Sequence, residues 1–240
     1  DETSGAGGLM LAADPMLDLR LVHLTDGAPR DGRDAAAAGC ATPGAYARLR
    51  QGELAAALAA AGVPAERTET TGLPDQEAAL HLPDLARHLA DRLDSLAADR
   101  VLTHPYEGGH PDHDAAAFAV RAACDLLARA GRPVPHIVEM AFYHRAGDDG
   151  MAVGNFLPDG APGATVPLGV AAQAAKRRML AAHASQARVL APFDTAAERF
   201  RPAPRYAFTR PPHAGTLLYE TWGFAMTGQH WRLLAAEALA

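Results

Sequence analysis

Apolar residues recur along this chain with two different periods, and their alternation predicts the architecture. Leu17 to Thr25 (LDLRLVHLT) alternates and then runs apolar, a strand pattern that stops at the turn dipeptide Asp26-Gly27. From Pro43 to Ala61 the positions Tyr46, Leu49, Leu54 and Leu58 keep a helical period, and Gly62 ends it. A weak strand follows near Arg67 to Thr71, and then a loop from Gly72 to Glu77. Leu82 to Leu96 sets Leu85, Leu89, Leu93 and Leu96 on one helical face. Arg100 to Thr103 reads as the end of a buried strand, and Asp114 to Ala130 as an Ala-rich amphipathic helix stopped by Gly131. Strands that alternate with helices in this order predict an α/β fold of three layers, α/β/α, around a mostly parallel central sheet.

The two ends of the chain are less regular. Ser4 to Ala13 suits a glycine-rich turn that opens a short helix, ended near Asp14-Pro15. Arg30 to Thr42 reads as a loop carrying Arg30, Asp31, Arg33 and Asp34. Beyond Pro133, Pro135 to His144 reads as a strand, Asp148 to Gly163 as an exposed loop, and Leu168 to Leu190 as one long helix. Phe200 to Trp231 mixes proline with aromatics and is expected to wrap the sheet's carboxyl edge before a last short helix. No repeat and no low-complexity linker separates two domains, so residues 1–240 read as a single domain.

Composition narrows the class. The 240 residues, 49% of them hydrophobic, suffice for one substantial core or two small ones. No stretch approaches the roughly 18 uncharged apolar residues of a membrane helix. No basic segment followed by an apolar run marks a signal peptide. A net charge of -6, with 22 basic against 28 acidic residues, leaves no electrostatic footprint for nucleic acid. Cys40 and Cys124 are not in a C-x-x-C pair and read as small buried side chains rather than as a bridge or a metal site. A cytoplasmic enzyme fits these features, and they leave room for a homo-oligomer.

The candidate chemistry gathers in Tyr106-Glu107-Gly108-Gly109-His110-Pro111-Asp112-His113, where a strand hands over to a helix. In a parallel α/β sheet the carboxyl ends of strands are where ligands bind. His110 and His113 converge on one centre if the helix begins between them, which Pro111 favours as a first-turn residue. The glycines let backbone approach a ligand without a Cβ in the way. A polar loop with two neighbouring imidazoles is the plain alternative for H-x-x-H alone. Of the other histidines, His23 lies inside a strand and reads as a hydrogen-bonded core residue. His81, His88, His183 and His230 sit on helix faces or loops with no acid arranged nearby. His104 either supports the two histidines or caps its strand.

Three protein ligands plus water make the usual catalytic zinc site, commonly His with Asp or Glu. Asp26, Asp75 and the pair Asp1-Glu2 are the candidate carboxylates, and spacing does not choose among them. Gly5-Ala6-Gly7-Gly8, followed by a strand ending at Asp26, imitates a dinucleotide fold, but G-x-G-x-x-G demands glycine where this chain has Met10.

Asp1-Glu2-Thr3-Ser4-Gly5-Ala6-Gly7-Gly8 resembles the second half of the His-Pro-Asp-Asp-Glu signature of the LmbE-like (PIG-L type) zinc-dependent N-deacetylases. His110-Pro111-Asp112-His113 resembles the second signature of that family. Arg50-Gln51-Gly52-Glu53-Leu54 with Ala61-Gly62-Val63 is similar to its R-x-x-E-L helix, and Gly72-Leu73-Pro74-Asp75 to its acid-bearing loop. Tyr206-Ala207-Phe208 through Tyr219-Glu220 looks like a bacterial subgroup with a sugar or sugar-like substrate. The resemblance spans nearly the whole chain and implies a Rossmann-like fold and a Zn2+ cofactor, or another divalent metal.

The resemblance also implies roles. Asp1 and His113 would be metal ligands. A further histidine ligand and the aspartate that acts as general base belong to the part of the signature ahead of Asp1, and are expected upstream. His110 would stabilise charge on the carbonyl oxygen and donate to the leaving amine, with Asp75 as the partner that orients it. Arg50 would contact substrate while Glu53 holds its helix, and Arg30 and Tyr106 complete the substrate-binding candidates. The implied reaction removes acetyl from a small N-acetylglucosamine-like sugar or sugar conjugate. An amidase acting on a thiol-sugar or other N-acyl conjugate, or a non-catalytic sugar-binding member of the fold, are the alternatives.

Overall fold

A computed structural model of the protein describes residues 1–12, 17–147, 150–158 and 162–240. In chain order the elements are α1 (Glu2–Ala12), β1 (Leu21–Pro29), α2 (Arg33–Ala37), α3 (Pro43–Ala60), β2 (Thr68–Asp75), α4 (Leu82–Ser95), β3 (Arg100–Thr103), α5 (Pro111–Arg129) and β4 (His136–Met140). They continue with β5 (Tyr143–Ala146), β6 (Gly150–Val153), β7 (Ala164–Pro167), α6 (Val170–Ala182), α7 (Ala187–Leu190), β8 (Ala197–Pro202), α8 (Leu218–Thr221) and α9 (Gly228–Leu239). The chain divides into two compact units, Asp1–Asp75 with Thr165–Glu198, and Gln76–Ala164 with Arg199–Ala240. Among the described residues, no helix is long and apolar enough to cross a membrane.

In the first unit β1 and β2 run parallel, with Leu21 opposite Thr68 and His23 opposite Thr70. The strand expected to stop at Asp26-Gly27 instead continues to Pro29. Its register with β2 shifts on both sides of Thr25, and Gly27 takes a left-handed φ of 67° that lets the strand bend without ending. For the same reason β2 runs through Gly72, at φ 73°, to Asp75, where a loop was expected. α3 forms as its sequence predicts: the Thr42 hydroxyl accepts the Ala45 N–H at 3.1 Å, and Pro43 fills the first turn. Part of the Arg30–Thr42 loop is helical, as α2.

Met10 from α1, Ala57 and Leu58 from α3 and Met179 from α6 make a core for this unit, flanked by Leu11, Leu54 and Val63. α1 is broken at Ala6, whose φ and ψ of -142° and 17° are not helical. Its expected end near Asp14-Pro15 lies outside the described residues. The long helix expected from Leu168 to Leu190 is two. His183, at φ -86° and ψ 57°, ends α6, and α7 follows after a single 3-10 turn.

In the second unit β3 and β4 are parallel from Arg100–His136 to Thr103–Glu139, and β8 joins β4 antiparallel, with Glu139 opposite Arg201. The strand expected from Pro135 to His144 separates after Met140. Its second half becomes β5, paired antiparallel with β6, so part of the expected 148–163 loop is a strand. Residues 148–149 and 159–161 of that loop lie outside the described residues. α4 buries Leu82, Leu85 and Leu89, as its one-sided leucine spacing predicts, and packs on α5. Trp231 of α9 lies with its ring centroid 5.1 Å from Tyr106 and 6.3 Å from Phe118 and Phe208. Each such aromatic pair adds about 0.5–1.5 kcal/mol beyond its buried area.

Candidate metal and catalytic centre

The centre begins where β3 ends. Thr103 closes the strand, His104 follows, and seven residues later α5 opens at Pro111. The helix therefore starts between His110 and His113, and one turn brings both imidazoles to its N-terminal end. The chain between is a tight turn caught from below by Asp114. Its Oδ1 accepts the N–H groups of Glu107 and Gly108 at 3.2 and 3.1 Å, and burial pushes this carboxyl well above its ordinary pKa. Gly108 takes φ 69°, and Gly109 is pressed so close to the Tyr143 carbonyl that a Cβ there would lie 2.0 Å from the oxygen. The pair of glycines is thus a steric requirement of this turn.

Three buried imidazoles result. His104 and His113 stack face to face, 4.0 Å between centroids and 3° between planes, and His110 lies 4.9 Å from His113. Phe142 meets both stacked rings edge-on at 4.9 Å. Ring nitrogens of His104 and His113 come within 4.8 Å of one another. Burial, then the neighbouring His104 and His110, hold His113 well below the ordinary histidine pKa. Neutral imidazoles expose lone pairs, and that is the form that binds a metal. These residues fit a zinc ion by donor type, burial and spacing.

His110 caps the helix itself. Its Nδ1 accepts the Asp112 N–H at 3.2 Å, so the neutral ring carries its proton on Nε2. The Asp112 carboxylate receives the N–H groups of Gln76 at 2.7 Å and Ala78 at 3.1 Å, which fixes the turn beneath His110. A second buried network holds the turn from the other side. Arg201 donates to Glu139 at 2.9 Å and to Glu107 at 3.2 Å, and Glu107 also accepts the Leu157 N–H at 2.8 Å. Tyr206 donates to Glu139 at 2.9 Å, and burial raises the Glu139 carboxyl to about 7 despite Arg201.

The remaining sequence candidates fall as follows. Asp1 precedes α1 in the first unit, and Asp75 ends β2 there. Arg50 lies on α3 beside Gly27, and its Nε is 3.8 Å from Glu53. Glu53 is buried and holds α3 by accepting the Ser185 N–H and hydroxyl at 2.7 and 2.8 Å. Arg30 pairs with Asp26 at 2.5 Å and donates to the Ala28 carbonyl at 2.6 Å. Tyr106 is 3% exposed and donates its hydroxyl to the Arg210 carbonyl at 2.9 Å, so its side chain serves the core. His23 is hydrogen-bonded, to Glu2 at 3.2 Å, as a strand histidine should be. His183 is buried at 6% with Glu2 and Glu53 in its electrostatic surroundings, unlike the acid-free helix-face or loop position expected. Cys124 is buried, its thiol pushed up to about 11, and Cys40 is half-buried; both are free.

Sequence reasoning left His104 between supporting the two histidines and capping its strand, and it missed Arg201 and Glu139. The first had a signal: a histidine at the carboxyl end of the same strand that leads to the motif. The buried ion pairs had none, because they depend on the register of β8.

A strand-to-helix crossing that presents three buried imidazoles at one helix N-terminus defines a mixed α/β protein with a candidate metal-hydrolase centre. The profile of the PIG-L family, GlcNAc-PI de-N-acetylase, matches residues 1–124, more than half of the chain, and the chain belongs to this family. No curated protein matches by sequence. Among solved structures, the A40926 pseudoaglycone deacetylase superposes with a TM-score of 0.64 at 18% identity, over 86% of this chain and 94% of that one. The zinc-inhibited form of teicoplanin deacetylase gives 0.61 at 16% identity, over 86% and 95%. The N,N'-diacetylchitobiose deacetylase of Pyrococcus horikoshii gives 0.56 at 18% identity, over 85% and 80%. The fold is that of the LmbE-like deacetylases.

Proposed function

We propose that the protein is a zinc-dependent N-deacetylase that removes an acetyl group from a small N-acetylglucosamine-like sugar or sugar conjugate, as a cytoplasmic enzyme. The observation that carries this is the buried His104–His113 stack beside His110, in a chain that belongs to the GlcNAc-PI de-N-acetylase family. The solved proteins that share the fold are deacetylases of A40926 pseudoaglycone, of teicoplanin and of N,N'-diacetylchitobiose, which supports the substrate class.

In this reading His113 holds the metal, with Asp1 assigned as a ligand by its place in the first signature. Zinc, when bound there, supplies a Lewis acid that makes water nucleophilic near pH 7. The chain's own residues do the rest. His110 keeps a proton on Nε2, because its Nδ1 is occupied by the Asp112 N–H. That Nε2–H donates to the carbonyl oxygen as negative charge builds. Passing a proton to the leaving amine requires the ring to be an imidazolium at that point, so that it returns to the neutral form as the amine departs. Asp75 is read as a further carboxylate that steadies His110, and Arg50 and Arg30 as cations that meet the sugar.

Metal analysis of His113→Ala and His110→Ala, with acetate release measured on N-acetylglucosamine, tests this. His113→Ala is expected to lose the metal. His110→Ala is expected to keep it and to turn over about ten- to thousand-fold more slowly, the scale of losing one oxyanion donor. Equal loss of metal in the two variants would show the two roles to be misassigned. Wild-type protein that carries no metal and releases no acetate would remove the deacetylase reading.

A further inference from the structure

Five aromatic rings form a closed circuit around the candidate centre. His113 and His110 are 4.9 Å apart, His110 and Phe224 5.3 Å, Phe224 and Trp222 5.6 Å, Trp222 and Tyr143 5.8 Å, and Tyr143 and His113 5.1 Å. Exposure rises around it: the histidines are buried, Phe224 is half-buried, and Trp222 is 38% exposed. None of the three rings beyond the histidines carries a charge. We infer that Trp222 and Phe224 form a stacking platform for the uncharged C–H face of the pyranose ring that bears the amide, and so set specificity for a cyclic amino sugar. This inference rests on the deacetylase reading of the centre.

Geometry chooses the occupant. Phe224 presents its ring at 78° to that of His110, the residue that addresses the leaving amine. Whatever carries the amine must therefore lie next to Phe224, and one ring further out it reaches Trp222. In an N-acetylated amino sugar that body is the pyranose. Aromatic rings give such a ligand a large, rigid, apolar contact surface with one side wet.

The platform is built, not draped. Gly223 takes φ 70°, a left-handed conformation that brings the rings of residues 222 and 224 together. Glu220 ties the segment at both ends, accepting the Leu217 N–H at 2.7 Å and the Gly228 N–H at 2.9 Å. Trp222 also donates its backbone N–H to the Tyr219 carbonyl at 3.3 Å, at the end of α8.

Calorimetric titration with methyl N-acetylglucosaminide, and with its open-chain relative N-acetylglucosaminitol, tests the platform without requiring turnover. In Trp222→Ala the pyranoside is expected to bind about tenfold more weakly, the scale of one lost aromatic contact. Trp222→Phe should recover most of that affinity, and neither substitution should change binding of the open-chain compound. An unchanged pyranoside affinity in Trp222→Ala, an equal loss for both compounds, or no pyranoside binding by the wild type would each overturn the inference. So would a loss that appears only when acetyl is replaced by a longer acyl chain, because the occupant would then be the acyl group. Acetate release is scored separately. Hydrolysis that is indifferent to Trp222 defeats the platform alone, whereas Trp222-dependent pyranoside binding without hydrolysis defeats the deacetylase reading alone.

Discussion

Replacing Lys176 with methionine should destabilise the protein far more than a conservative change of shape would suggest. Lys176 on α6 is fully buried and Glu198 is 3% exposed, and their charged atoms are 2.7 Å apart. The same carboxylate accepts the Gly8 N–H at 2.7 Å and the Leu9 N–H at 3.0 Å, just beyond the break in α1. Gly8 itself is held close, since a Cβ there would lie 2.3 Å from the Leu168 side chain. Glu198 therefore pins the glycine turn that follows the first signature. Lys176→Met leaves that carboxylate buried with two backbone donors and no counter-charge, a situation that costs about 3–5 kcal/mol. Domains are typically stable by only about 5–15 kcal/mol.

The double variant Lys176→Met/Glu198→Gln separates charge from shape. A glutamine oxygen still accepts one of the two backbone N–H groups and the other loses its acceptor, but no charge is left unpaired, so the net cost should fall to about 1–2 kcal/mol. Urea unfolding followed by far-UV circular dichroism suits this unit, because Trp222 and Trp231 both lie in the other one. With a slope of about 3 kcal/mol per molar, the single variant should lower the midpoint by about 1–2 M and the double should recover more than half of that. A single variant within about 0.5 kcal/mol of wild type, or a double variant that costs the sum of its parts, would refute the reasoning.

Three further outcomes follow from packing elsewhere in the chain. Gly109→Ala must push a methyl against the Tyr143 backbone oxygen, so it is expected to cost about 1–3 kcal/mol and to cut turnover at least as much as moving His110 would. Gly52→Ala in exposed helix, with nothing within 4 Å, should instead be neutral or stabilising by up to about 1 kcal/mol, and thermal melts of the two separate sterics from handling. His183 is held neutral by burial, its pKa lowered to about 4, so between pH 6.5 and 4 only the unfolded chain takes up the proton. Its contribution, up to about 3 kcal/mol, is present above pH 6.5 and lost as pH falls toward 4, and His183→Leu should flatten that part of a stability profile measured by urea midpoints.

What could be read in the sequence was what neighbouring residues decide among themselves. Proline after His110 and an acid four positions on fix the start of α5, and with it the side-by-side placing of His110 and His113. The leucine spacing of α4 and the Thr42-Pro43 start of α3 are decided in the same local way. Strand ends were misjudged where glycine bends a strand instead of ending it, at Gly27 and Gly72. A glycine's left-handed φ serves a turn and a bulge alike, and only the partner strand distinguishes them. For a different reason the sequence left His104 between supporting the two histidines and capping its strand. Its ring meets His113 only because the turn between them closes, and that closure is held by Asp114 from the helix and by Arg201 from a strand nearly a hundred residues on. Weakening Arg201 should therefore loosen the centre through Glu107 without removing any group that meets substrate. The candidate chemistry is written locally, but the rigidity that makes it usable is supplied by distant residues whose pairing no local pattern encodes.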